Sequence, residues 1–96
     1  KGFIEIEKHG TYEFQTTSDD GSRLMIDGFP IVNNDGLHSR KTVSGDIPLK
    51  AGLHEIEVHF FERSGQESLE VKWKGPDFDW SSIPAFRLFK TRDWNK

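Results

Sequence analysis

Apolar side chains recur at every second position in segment after segment of this chain, and that period narrows the available folds more than any other feature. Ile4 and Ile6 set the phase, followed by Tyr12, Phe14 and Thr16 and by Leu24 and Ile26. Ile56, Val58 and Phe60 alternate with Glu55, Glu57 and His59, and Leu69, Val71 and Trp73 with Glu70, Lys72 and Lys74. Successive side chains of a strand point to opposite faces, so each segment reads as a half-buried strand with one apolar and one wet face. No segment carries the period of an amphipathic helix.

Turn signals divide these strands at short intervals: His9-Gly10, Asp27-Gly28, Asn34-Asp35-Gly36, Lys50-Ala51-Gly52, Ser64-Gly65 and Gly75-Pro76. Asp27-Gly28 falls between Leu24-Met25-Ile26 and Ile31-Val32, where a tight hairpin needs a residue that accepts positive φ. Pro30 lacks an N–H and limits pairing on one side of its strand. Short antiparallel strands spaced in this way predict an all-β, antiparallel sandwich of jelly-roll-like form. The 96 residues allow one domain, 1–96, without internal repeats or a linker, and the tail at 90–96 is expected to be partly mobile.

Thirteen Lys and Arg against sixteen Asp and Glu leave a net charge of −3, and the cations are scattered, which argues against nucleic acid as a partner. The absence of cysteine removes disulfides, thiolate zinc sites and cysteine nucleophiles. No apolar run is long enough for membrane insertion, and Lys1-Gly2-Phe3 is unlike a signal peptide, so a piece of a longer protein or a processed chain is expected.

The stretch Thr17-Ser18-Asp19-Asp20-Gly21-Ser22 places two adjacent carboxylates before a glycine. In an extended strand Asp19 and Asp20 point to opposite faces, so they converge on one ion only if the backbone departs from that geometry. Calcium suits such a pair because it takes many oxygen ligands in flexible geometry, and Gln66, in the loop Arg63–Ser68, is a further candidate ligand. The rival reading gives Asp19 to turn amides and Asp20 to Arg23, with no metal. Asn33-Asn34-Asp35-Gly36 reads foremost as a turn, and the following loop brings His38 as a candidate polar contact to a ligand.

His54 and His59 are an odd number of residues apart on one strand and so face opposite ways, which argues against zinc. Asp77 and Trp80, bracketing Phe78 and Asp79, are candidates for a carboxylate-and-aromatic sugar platform; the competing reading has Phe78 and Trp80 pinning their loop to the sandwich. Trp73 reads as core. Adjacent aspartates cannot flank a substrate as acid and base, and no nucleophile elbow, phosphate loop or zinc-protease motif is present, so catalysis is not expected.

Several segments together resemble the PA14 domain family, named after the anthrax-toxin protective antigen. Gly10-Thr11-Tyr12-Glu13-Phe14 is similar to its G-x-Y-x-F strand, Ser18 to Gly28 to its S-D-D-G-S-R-L-x-I-D-G core, and Leu49 to Ile56 to its L-x-A-G-x-H-x-I segment. Asn34–His38, Phe60-Phe61-Glu62, Leu69–Trp73 and Ile83-Pro84-Ala85 complete the series in order. The resemblance implies a β-sandwich module of secreted or cell-surface proteins, among them adhesins, toxins and glycosidases. It further implies calcium held partly by Asp19 and Asp20 across a cis peptide, with the ion bridging to a glycan or polysaccharide. A structural or protein-interaction spacer, facing neighbouring domains of the same polypeptide, and an accessory domain of a glycoside hydrolase are the alternatives. The family's domain usually begins with further strands, so the shorter form seen here is expected to leave a sheet edge exposed unless another segment covers it.

Overall fold

The computed structural model describes residues 2–19, 21–35, 40–60 and 69–89. Among them the chain forms β1 Gly2–Ile6, β2 Gly10–Ser18, β3 Ser22–Ile26, β4 Phe29–Asn34, β5 Lys41–Leu49, β6 Gly52–Phe60, β7 Leu69–Gly75, β8 Phe78–Ser82, a 3₁₀ turn at Ala85–Arg87 and β9 Leu88–Phe89. Five strands in the order β4-β3-β6-β1-β9 make one sheet, and four in the order β5-β2-β7-β8 make the other. Every pairing is antiparallel. The expected two-sheet sandwich is therefore the fold, and the tail at 90–96 lies outside the described residues.

The period-two residues fill the space between the sheets. Ile4, Ile6, Leu24, Ile26, Val32 and Ile56 come from the first sheet and Tyr12, Phe14, Leu49 and Trp73 from the second, all buried. Trp73 is core, as its phase with Leu69 and Val71 requires, and its ring meets Phe14 at 6.2 Å between centroids. Burying a ring such as Phe14 stabilises by about 1.5–3 kcal/mol, so a few such positions outweigh every surface ion pair.

The hairpin at Asp27-Gly28 has both central residues at positive φ, 52° and 84°, the geometry that matches the twist of its flanking strands. Past it, the β3–β4 register runs Ile26 to Phe29 and Met25 to Pro30, then jumps to Leu24 with Val32, leaving Ile31 as the extra residue of a bulge. Pro30, without an N–H, sits where the ladder breaks. The bulge turns the Ile31 carbonyl toward β5, where a Cβ on Gly45 would lie 2.0 Å from its oxygen. That close approach closes one side of the sandwich.

At the N-terminal strand another segment supplies the cover: β1 precedes the G-x-Y-x-F strand and runs inside its sheet, flanked by β6 and β9. The edges of the two sheets are β4 and β9, and β5 and β8. The expected turn at Asn33–Gly36 also starts later: Asn33 and Asn34 are the last residues of β4, because Asn34 is buried and bonded, and Gly36 lies outside the described residues.

Candidate functional site

Asp19 stands at the pole of the sandwich where β2 ends and β3 begins, and those strand ends share a network of buried polar side chains. Ser22 Oγ lies 2.9 Å from Thr16 Oγ1 and 2.8 Å from Ser18 Oγ. Asn34 donates from Nδ2 to Ser18 Oγ at 3.3 Å and to the Lys41 carbonyl at 2.8 Å, which joins β2, β3, β4 and β5. Thr16, Ser18 and Ser22 are fully buried and Asn34 nearly so. Buried hydroxyls and amides are tolerated where they bond to one another, and a network of this kind stiffens the strand ends that carry it. Gly21 is buried within that loop and Asp19 half-buried.

Asp35 stands at the same pole and accepts a hydrogen bond from the Arg23 guanidinium, which raises the Arg23 pKa through that bond and then through charge attraction. Arg23 thus has Asp35 as its carboxylate partner, a pairing that the rival reading of the loop assigned to Asp20. Asp20 itself, the bond joining it to Asp19, His38 and Gln66 lie outside the described residues. Asp19 is the one member of the expected ligand set whose place is described.

Asp77 and Trp80 are not brought to Asp19. β2 and β7 are antiparallel, with Ser18 opposite Leu69 and Glu13 opposite Lys74, so the turn holding Asp77 is at the other pole. There the Lys8 ammonium lies 3.2 Å from the Asp77 carboxylate. Phe78 packs on the core against Trp73 (4.8 Å) and Tyr12 (6.2 Å), as the pinning reading requires. Trp80 is half-buried on the edge strand β8, its backbone N–H donating to Asp79 Oδ1 at 2.8 Å.

Two arrangements escaped the sequence reading. The buried cluster of Thr16, Ser18, Ser22 and Asn34 carries no hydrophobic signal, and only the short spacing of serines around Asp19-Asp20-Gly21 hints at it. The second is His54, whose Nδ1 lies 2.6 Å from Asp27 Oδ2 and whose Nε2 lies 2.7 Å from the Lys50 carbonyl. His59 is likewise held, 2.5 Å from Glu57. Among the described residues no group of three or more His, Cys, Asp or Glu side chains is placed to hold a metal ion.

The Asp19 carboxylate is the one described oxygen donor of the expected set, the kind of ligand that calcium takes, and the hydroxyls of Thr16, Ser18 and Ser22 in the strands that flank it are buried and bonded to one another. Stiff strand ends are what a loop needs if it is to present carboxylates without reorganising.

These features define a class: a two-sheet jelly-roll-like module whose polar pole is built from the β2–β3 loop over a buried hydroxyl network. Residues 1–85 match the PA14 domain model, and the chain belongs to that family. The anti-sigma-I factor RsgI3 of Acetivibrio thermocellus is 28% identical over 89 residues, covering 92% of this chain and 14% of its own length. An anti-sigma factor domain-containing protein from Clostridium clariflavum superposes with a TM-score of 0.87 at 26% identity, over 94% of this chain and 31% of that one. The PA14 domain of the antifreeze protein MpAFP shares the fold, with a TM-score of 0.85 at 22% identity over 96% of this chain and 50% of that one. The chain spans a minor part of the anti-sigma relatives it matches. Among the described residues no helix is long and apolar enough to cross a membrane.

Proposed function

We propose that this PA14 domain is a non-catalytic glycan-binding module of a larger extracellular or cell-surface protein, and that it binds its ligand through calcium at the Asp19-Asp20 loop. The observation that carries the reading is the buried hydrogen-bonded network of Thr16, Ser18, Ser22 and Asn34 in the strands that flank the Asp19 loop. Asp19 and Asp20 would hold the ion, with Gln66 and loop carbonyls as further oxygen donors. Calcium supplies coordination positions that sugar hydroxyls can occupy in place of water. The chain's own part is to hold two carboxylates together and to keep the approach open.

The Asp27–His54 contact is read as structural, because His54 Nε2 faces the Lys50 carbonyl. The test is a glycan array run with calcium and again with EDTA. At least one glycan is expected to bind with calcium and not with EDTA; an array unchanged by EDTA, or no binding to any glycan, overturns the reading.

The anti-sigma relatives favour a second reading, in which the domain is a sensing or spacer module that contacts neighbouring domains. Phe86 and Phe29, 70% and 63% exposed, are the kind of side chains such a contact would cover. Under that reading the array is silent with and without calcium.

A further inference from the structure

The pole opposite Asp19 holds a cleft of about 240 Å³ that the calcium reading does not use. Its floor is the ring of Phe78, half-buried, backed by the nearly buried rings of Tyr12 and Trp73, which stack 5.7 Å apart. These rings close together because Gly75 has no side chain: a Cβ there would lie 2.5 Å from Phe78 and 2.7 Å from Tyr12.

Phe86 forms one wall and is 70% exposed. It is also held in place. The 3₁₀ turn that carries it is tied to β1 by Arg87, which lies 3.0 Å from Glu5 and 3.2 Å from Glu7, and the Arg87 guanidinium sits 5.2 Å from the Phe86 ring centre. A large ring fixed in water beside a concave aromatic floor is arranged to receive something.

The rim identifies the chemistry. Glu7 and Asp77 set two negative charges against Lys8 and Arg87, so the mouth is neutral. Both cations are already engaged, Lys8 with Asp77 at 3.2 Å and Arg87 with Glu5 and Glu7. An anion would have to compete with those carboxylates, and a cation with Lys8 and Arg87. A neutral ligand rich in hydroxyls instead donates to Glu7 and Asp77, accepts from Lys8, and lays its C–H face on the rings. At about 240 Å³ the cleft has room for a sugar ring.

We infer that this pole is a second, metal-independent binding site for a neutral sugar ring. The inference stands on this cleft alone, and working in EDTA keeps it apart from the calcium-dependent reading. The test is a titration of the isotope-labelled chain in EDTA with methyl glucoside, methyl galactoside and methyl mannoside, followed by amide NMR shifts, with glucuronate and glucosamine as charged controls. At least one neutral glycoside is expected to give saturable shifts at Lys8, Ser81 and Phe86. Phe86→Ala is expected to weaken that binding about three- to tenfold with an unchanged melting temperature. Asp19→Asn with Asp20→Asn should leave it intact. The inference is overturned if no neutral glycoside shifts these amides, if only a charged control does, if Phe86→Ala binds as well as the parent, or if the shifts require calcium.

Discussion

His54 joins two turns of the sandwich by holding the Asp27 carboxylate at 2.6 Å through Nδ1 and the Lys50 carbonyl at 2.7 Å through Nε2. Asp27 completes the latch: its Oδ1 accepts from the Glu55 N–H at 3.0 Å, and its own N–H donates to the Glu55 carbonyl at 2.9 Å. The β3–β4 hairpin is thereby fixed to the head of β6. The contact is partly exposed, so its worth is that of an ordinary hydrogen-bonded pair and not of a buried ion pair. Asp27→Asn and His54→Ala are each expected to cost about 1–2 kcal/mol in urea unfolding, and a double-mutant cycle to show about 1 kcal/mol of coupling. Strict additivity of the two changes would sink the latch.

Gly45 tests the closure of the sandwich. Because its Cβ would fall 2.0 Å from the Ile31 carbonyl oxygen, the backbones of β4 and β5 must separate to admit one methyl group. Gly45→Ala is expected to cost about 3 kcal/mol, at the upper end for overpacking. Gly28→Ala provides the contrast: nothing stands within 4 Å, but φ is +84°, so conformational strain alone should cost about 1–2 kcal/mol. Chemical denaturation of both variants checks the order, and equal losses would show that Gly45 is not a packing constraint.

Most of the fold was legible because it is written in apolar phase. Phe14, Leu24, Ile26, Ile56 and Trp73 are core for the reason their alternation suggests, and Asp27-Gly28 turns as its residue types demand. The candidate site was less so. Ser18, Ser22 and Asn34 are buried by hydrogen bonds across four strands, and no local pattern distinguishes them from loop residues. Asn34 read as turn because amide side chains favour turns, yet its side chain serves as the bridge between Ser18 and the Lys41 carbonyl. Asp77 and Asp19 both read as candidate ligand contacts, and strand direction separates them by the length of β2. The Asp27–His54 pairing joins residues distant in sequence, and motif spacing does not reveal it.

Tyr12 offers a titration that reads a single group, since it is the sole tyrosine. Burial raises its pKa above the ordinary 10.0, and its hydroxyl donates a hydrogen bond to the Lys8 carbonyl at 2.6 Å. The folded state therefore keeps the proton at pH values where the unfolded chain has lost it. Tyr12 makes no pH-dependent difference below about pH 10, and stability falls as pH rises from there through the folded-state pKa. Phenolate absorbance should show a midpoint above 10.0 in the folded protein and near it in urea. Tyr12→Phe should lose about 0.5–1.5 kcal/mol at neutral pH and flatten the alkaline decline relative to the parent. A folded-state midpoint at or below 10.0 would contradict the burial described.

The calcium site yields the prediction with the widest consequence for function. A ligand that binds only the folded state stabilises it by about 2.7 kcal/mol at a hundredfold excess over Kd, and a domain of this size gains about 4–8 °C in Tm for each kcal/mol. Added calcium is therefore expected to raise Tm by about 10 °C or more, and magnesium, which keeps its waters and demands stricter geometry, by far less. Asp19→Asn with Asp20→Asn should abolish the shift while leaving a folded sandwich, because Asp19 lies at the edge of the core and not in it. Ser22→Ala should separate network from ligand: it removes the hydroxyl shared by Thr16 and Ser18, costs about 1–3 kcal/mol without metal, and reduces the calcium shift without abolishing it. If calcium stabilises the double variant as much as the parent, the ion sits elsewhere; if it stabilises neither, the Asp19 loop is a turn resting on its serines.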